Sequence, residues 1–298
     1  MKIRGFESSM MGRDIDFIIP AMSRLCCLNE ISHALAGVMA VEKAYNITVP
    51  NEGQYLREIA RLGEIVEVDA IKLNEFKNTD ELADIGNKIK SILGKKAKYL
   101  AVGGVLENIS DKRKEKLINL AKEGLSLVDK DFVKLVDERK AKISLPDVEL
   151  IDAYNFDANK VETNGLPKTA LYNGKVAYSG ALARMYNEGL ITSKNLWDVL
   201  SARMIEIEFC LNKIIELLNK LKLTQPYIEP IIKDGRAVGE AVIEGGEGIV
   251  YHKVELLGRE ILDYTILTSE NFNKAVLDSV DNDEAKRIIQ LCERCYYL

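Results

Sequence analysis

A predominantly α-helical fold with a small β component, organised around a central bundle of long helices, is what this sequence predicts. Three observations carry that expectation. Apolar residues recur at three- and four-residue spacing over several long stretches, which is the period of a helix with one buried face. β-prone sequence broken by Pro, Gly and Asn is confined to about 143–178 and to the segment after Ala237. Hydrophobic residues make up 47% and charged residues 29% of the 298 positions, enough to bury one sizeable core. The chain therefore reads as a single domain, 1–298, with a β-rich insertion at about 143–178.

Taken in order, Ile31, Leu35, Val38, Met39 and Val41 predict a helix from Asn29 to about Tyr45, with Asn29 as its cap. Cys26 and Cys27 then stand just before a helix N-terminus, where the helix dipole and unpaired amides favour thiolate. Leu56, Ile59, Ala60, Gly63, Val66, Ala70 and Leu73 mark a second long helix. A third, capped by Thr79, runs to about Leu93, where Gly94 ends it. Ser110 opens a charged helix expected to reach about Lys140, with Leu117, Leu120, Ala121, Leu125 and Val128 on one face and solvated charge on the other. In the insertion, Asn173-Gly174 is the signal of a hairpin closed by a type I′ turn. Leu200, Ile207, Cys210, Leu211, Ile214, Leu217, Leu218 and Leu221 place a long helix over Leu196–Leu221, with Cys210 in its buried stripe as core packing. Beyond it, 237–248 is glycine-rich and Tyr251–Ile266 alternates weakly, like strands. The glycines end in no Gly-Lys-Ser/Thr and match no dinucleotide fingerprint, so nucleotide binding is not expected.

Composition excludes several function classes. Acidic residues outnumber basic ones by 46 to 41, for a net charge of -5, which gives no nucleic-acid footprint. No stretch approaches the roughly 18 apolar residues of a membrane span, and the N-terminus has no apolar signal core, so a cytoplasmic protein without direct membrane insertion is expected. Five cysteines, an odd and uneven set, do not make a disulfide scaffold. Four of them lie in two segments near the chain ends: Cys26 and Cys27, and Cys292 and Cys295. A fold that joins those segments gathers four thiols, soft ligands suited to nickel, iron or iron–sulfur clusters.

Read in sequence, a series of motifs resembles the large subunit of [NiFe]-hydrogenases, closest to the cytoplasmic archaeal-type group. Arg4-Gly5-Phe6-Glu7 followed by Gly12-Arg13-Asp14 is similar to that family's opening. Arg24-x-Cys26, with His33 seven residues on, resembles its Arg-x-Cys-x-x-Cys-x-x-x-His motif. Leu56–Leu73 resembles the helix that follows, and Gly103-Gly104-Val105 the glycine turn before a charged helix. Ser179-Gly180-Ala181-Leu182-Ala183-Arg184 is similar to its Gly-Pro-Leu-Ala-Arg, Ala202-Arg203-x-x-Glu206 to its next long helix, and Cys292-x-x-Cys295 to its end. The resemblance implies the hydrogenase large-subunit fold, with the two cysteine segments meeting at the face where an iron–sulfur small-subunit-like protein docks.

It also implies a metal site, with departures. Cys26 and Cys292 match terminal nickel ligands, and Cys295 matches one of two thiolates that bridge nickel to iron. Asn29 stands at the other bridge, a neutral carboxamide in place of a thiolate. Cys27 either adds a fourth sulfur or packs as a small apolar residue. The cofactor implied is nickel or iron in a variant site, with an iron–sulfur cluster as the alternative. Glu247 falls where the family has an arginine over the iron, which makes it, with His33, a candidate catalytic residue. Asp69 and Lys72 replace histidines, and Leu298 replaces the histidine that binds a structural magnesium with the glutamate matching Glu7. Glu7 then reads equally as an ion-pair partner of Arg4 or Arg13, and His33 and His252 as satisfied structural donors. Strands that precede Arg4 in the family, with a proton-transferring glutamate, have no counterpart here, and the end three residues past Cys295 implies no maturation peptide. Two functions follow: a redox subunit with an altered thiolate metal site, or a non-catalytic scaffold that lost the metal.

Overall fold

The periodic stretches fold as helices, and two of them set the frame for everything else. The computed structural model describes residues 5–133, 148–164, 169–192, 198–279 and 283. After two short helices, α1 (Phe6–Met10) and α2 (Ile18–Met22), come α3 (Glu30–Tyr45) and α4 (Asn51–Leu73). They form an antiparallel hairpin: Arg57 of α4 meets Glu42 of α3 near the connecting loop, and Glu64 of α4 meets Ile31 and Ser32 at the far end. α4 is flanked by α5 (Asp80–Lys90) on one side and by the long helix of the second half on another. A short ribbon, β1 (Leu100–Ala101) with β2 (Gly104–Val105), forms around the glycine turn.

The charged helix α6 (Asp111–Leu127) starts as expected, with Ser110 Oγ accepting from the Arg113 amide. It stops well short of Lys140. Val128 is extended, and the Asp129 carboxylate accepts the Asp131 and Phe132 amides, so that a local side chain ends the ladder and opens a new turn. The segment 134–147, which holds the rest of that expected helix, lies outside the described residues.

In the β-rich segment β3 (Glu149–Leu150) pairs in parallel with β6 (Ala177–Tyr178), while β4 (Val161–Asn164) and β5 (Thr169–Tyr172) are antiparallel. The Asn-Gly turn forms with φ of 52° and 70° at Asn173 and Gly174. Tyr172 and Lys175 close it by exchanging both backbone hydrogen bonds, at 2.9 and 3.0 Å, but the chain follows β5 no further than that one pair. It crosses to β3, and β5 takes β4 as its partner.

α7 (Ala181–Asn187) precedes α8 (Asp198–Lys220), which buries Ile207, Cys210, Leu211, Ile214 and Leu218 against α4 and α6. The glycine-rich segment proves to be a strand. β7 (Arg236–Gly245), β8 (Gly248–Leu257) and β9 (Glu260–Thr268) make an antiparallel meander whose inner face packs on α3. Gly239 accounts for part of that glycine content: a Cβ there would stand 2.0 Å from the Ala40 carbonyl oxygen, so the strand needs glycine to lie against the helix backbone. α9 (Ser269–Ser279) follows. Among the described residues no helix is long and apolar enough to cross a membrane.

Candidate functional site

The tight turn between β7 and β8 points into the open end of the α3–α4 hairpin, and three arginines from three helices hold it there. Arg61 donates to the Glu244 carbonyl at 3.0 Å, Arg184 to that of Gly245 at 3.1 Å, and Arg203 makes a longer 3.4 Å contact with that of Gly246. Gly245 and Gly246 carry no side chain because none fits. A Cβ on the first would meet Asn29 Oδ1 at 2.8 Å, and one on the second would meet Val68 at 2.4 Å. The next residue, Glu247, is thereby fixed and 4% exposed.

Its partner is Lys72, itself 1% exposed, with Nζ 3.1 Å from Oε1. Both residues stand where the resembling family carries other groups, and the structure joins them into one buried ion pair.

One turn earlier on α4, Asp69 accepts from Arg203 at 2.5 Å, both fully buried. Arg184 grips both oxygens of Glu206, at 2.5 and 2.7 Å, and reaches Glu244 at 2.7 Å. Burial pushes the Asp69 carboxyl well up, helped by the neighbouring Glu206 charge. For Glu206 burial also works upward, but the Arg184 charge and hydrogen bonds outweigh it and hold this carboxylate below its ordinary value. Burial raises Glu244 as well, against the pull of Arg184.

On the opposite side, Asn29 opens α3 without capping it through its side chain. The cap comes across the hairpin from Glu64, which accepts from the Ile31 and Ser32 amides at 2.6 and 2.9 Å and from Ser32 Oγ at 2.5 Å. Two of the amides expected to favour thiolate at Cys26 and Cys27 are therefore committed to a carboxylate. Burial lifts Glu64 to about 7 even so. Asn29 Oδ1 is left buried, with no donor among the described residues.

Cys26 is buried and Cys27 exposed, so the two adjacent thiols face different surroundings. Cys292 and Cys295 lie outside the described residues, as does Leu298. His33 bonds through Nδ1 to His252 Nε2 at 3.0 Å, and His252 Nδ1 to Tyr264 Oη at 2.8 Å, a chain linking α3 to β8 and β9. Burial keeps both rings neutral, taking His33 down to about 3 and His252 well below its usual value, the latter aided by its neighbour. The two candidate catalytic residues thus have separate partners: His33 faces the sheet and Glu247 faces α4. Glu7 accepts the Ile266 amide at 3.0 Å, while Arg13 lies over the Phe17 ring, so the expected Glu7–Arg13 pair does not form. Arg4 lies outside the described residues.

Glu64 and Glu244 escaped the sequence reading. Glu64 had a signal, a carboxylate four residues after Ala60 on the apolar stripe of α4, and so had Glu244, which opens the Glu-Gly-Gly-Glu-Gly run that places Glu247.

Against a dinuclear nickel–iron centre the donor set does not fit. At the place the resemblance assigns to a bridging thiolate stands a carboxamide oxygen, a hard, neutral donor, and at the place it assigns to an arginine stands a carboxylate tied to Lys72. Among the described residues no three His, Cys, Asp or Glu side chains converge as a ligand group.

Comparison with known proteins places these features. Residues 4–72 match the family model described as nickel-dependent hydrogenase. An uncharacterized protein of Methanocaldococcus jannaschii is 94% identical over the full length of both chains. The alpha subunit of sulfhydrogenase 2 from Pyrococcus furiosus is 24% identical, covering 96% of this chain and 83% of that protein. The coenzyme F420 hydrogenase alpha subunit of M. jannaschii is 22% identical, covering 99% and 83%. Among solved structures, a [NiFeSe] hydrogenase from Desulfovibrio vulgaris Hildenborough superimposes with a TM-score of 0.81 at 16% identity, covering 98% of this chain and 91% of that one. An NAD+-reducing [NiFe]-hydrogenase gives 0.80 at 18%, covering 99% and 90%. With its helical bundle and small sheets, the chain has the fold of a [NiFe]-hydrogenase large subunit, and residues 4–72 carry the match to the nickel-dependent hydrogenase family.

Proposed function

We propose that this chain is the large-subunit-like component of a redox complex, working through an altered thiolate metal site with an iron–sulfur small-subunit-like partner. Cys26, Cys292 and Cys295 are the proposed ligands, with Cys27 as an added thiol and Asn29 in place of one bridging cysteine. One observation carries the reading: the Asn29 carbonyl oxygen, three residues beyond buried Cys26, is itself buried without a donor among the described residues. A buried acceptor of that kind calls for a proton donor or a cation. Nickel, iron or an iron–sulfur cluster bound there would supply electron transfer. The chain's own contribution is electrostatic, because the Lys72–Glu247 pair leaves no net positive charge on the side where the family has its arginine. Splitting of hydrogen by the family's mechanism is therefore not part of this proposal.

The second reading, a non-catalytic scaffold, is favoured by that same ion pair, which fills the site with internal charge. Metal analysis of protein purified anaerobically with its partner, combined with infrared spectroscopy, separates the two. Stoichiometric nickel or iron, lost in Cys26→Ser and Cys295→Ser, is the expected result. Metal-free protein still tightly bound to its partner would sink the redox reading. Carbon monoxide or cyanide bands would show a nickel–iron centre after all.

A further inference from the structure

Where the connecting loop of the α3–α4 hairpin meets α8 and β7 lies a cleft of about 740 Å³, within the usual range for a small-molecule site. Its floor is apolar. Leu35 and Met39 of α3, Ile47 and Val49 of the loop, Leu217 of α8 and Ile243 of β7 line it, and all but Met39 and Ile47 are buried. Tyr55 of α4 adds a half-buried ring, and Met39 an adaptable thioether.

The polar part of the lining has a sign. Its two carboxylates are each gripped through both oxygens by an arginine of α4: Glu42 by Arg57, at 2.9 and 2.6 Å, and Glu58 by Arg61, at 2.8 and 2.5 Å. Lys43 is left over, exposed and with no carboxylate partner among the described residues. Arg57, itself 6% exposed, keeps one donor, Nε, without an acceptor among them. The lining thus carries one net positive charge beside an apolar surface. A cationic ligand gains little there, because both carboxylates are already paired. Of the three arginines that hold the β7–β8 turn, only Arg61 also lines the cleft.

We propose that this cleft binds a small organic anion, with an aromatic or short aliphatic body on the floor of Leu35, Leu217 and Ile243 and a carboxylate or sulfonate group against Lys43. Binding is noncovalent and independent of the redox reading, so the protein can be tested with or without metal.

Fluorescence titration of the full chain with anilinonaphthalene sulfonate, run beside phenylnaphthylamine, which has the same rings and no charge, tests the site. The expected result is saturable binding of one sulfonate per chain. Lys43→Glu, at an exposed position that leaves the core untouched, should weaken the sulfonate by about tenfold and the neutral amine by less than about twofold. Met39→Trp, which fills the cleft, should weaken both by about tenfold. Ile47→Trp repeats that test from the loop if Met39→Trp lowers the urea midpoint. Failure to saturate, a sulfonate affinity untouched by Lys43→Glu, an equal loss for the neutral amine in that variant, or binding that survives both cleft-filling variants would overturn the proposal.

Discussion

Near its connecting loop the α3–α4 hairpin buries one ion pair in which both carboxylate oxygens and both terminal guanidinium nitrogens are met, and Arg57 Nε alone of its polar atoms has no partner among the described residues. Arg57 meets both Glu42 oxygens, at 2.9 and 2.6 Å, and also donates to the carbonyls of Ala101 and Gly104, while Glu42 accepts the Gly103 amide. At the open end Glu64, Asp69, Glu206, Glu244 and Glu247 lie among the cations Lys72, Arg184 and Arg203. Lys90, which also acts on Glu64, is drawn off by Glu30 and Glu67, and Arg61, which acts on Glu244, by Glu58. The same two helices thus build a fixed electrostatic joint at one end and a carboxylate-rich, protonatable centre at the other. Excess buried carboxylate raises folding cost unless protons or a bound cation offset it. An end that is costly to build and placed beside the cysteine segment is where function is expected.

The largest effect is expected from the balanced end. Arg57→Met strips Glu42 of its partner and orphans two carbonyls, so a loss of about 3–5 kcal/mol is expected in denaturant unfolding. Adding Glu42→Gln should recover little, because the Ala101 and Gly104 carbonyls stay unmet. A loss below about 1 kcal/mol would erase the contrast between the two ends.

At the open end Lys72→Met should cost about 2–4 kcal/mol at pH 8. There the second change matters more: Lys72→Met with Glu247→Gln should recover most of the loss, since the pair is the chief contact holding Glu247. A double variant no more stable than Lys72→Met alone would mean that Glu247 is held by other contacts.

Much of this frame was legible in the sequence. The helices α3, α4, α5 and α8 follow from apolar spacing, and the start of α6 from Ser110. Two strands of the meander, β8 and β9, follow from the alternation over Tyr251–Ile266, but β7 does not, because Gly239 and Gly245 serve close packing and do not mark a strand when read alone. The site was half legible. Asp69, Lys72 and Glu247 each stand out as departures from the family, but Lys72 and Glu247 lie far apart in the chain, and only the folded hairpin turns two anomalies into one compensated pair. Cap chemistry misled in the same way: Asn29 sits where a cap belongs, yet Glu64 reaches it from the neighbouring helix.

Glu64→Gln sharpens the comparison by its pH dependence. A carboxyl raised from 4.5 to about 7 in the folded state makes its contribution fully below 4.5 and loses it as pH rises through about 7. Between those limits the native chain should lose up to about 3 kcal/mol that the variant does not lose. Urea midpoints at pH 5 and pH 7.5 check this. An unchanged slope would show that the three hydrogen bonds to Glu64 keep it ionised throughout.

The smallest effect should come from the neutral chain His33–His252–Tyr264, which joins α3 to the sheet between the two ends. Depressed histidines work in the opposite sense to Glu64. Their contribution is full above 6.5 and drains as pH falls toward about 3, because the unfolded chain takes up protons that the buried rings refuse. His252→Gln removes one of the two rings and the bonds on both sides of it, so at pH 7 it should cost about 1 kcal/mol. At pH 5 the order should close or reverse, since the variant has one fewer ring to protonate on unfolding and gains about 1–2 kcal/mol relative to the native chain. Urea unfolding at the two pH values measures both terms. Parallel acid limbs would mean that the rings already share a proton in the folded state, and the neutral joint would then be charged like the end beside it.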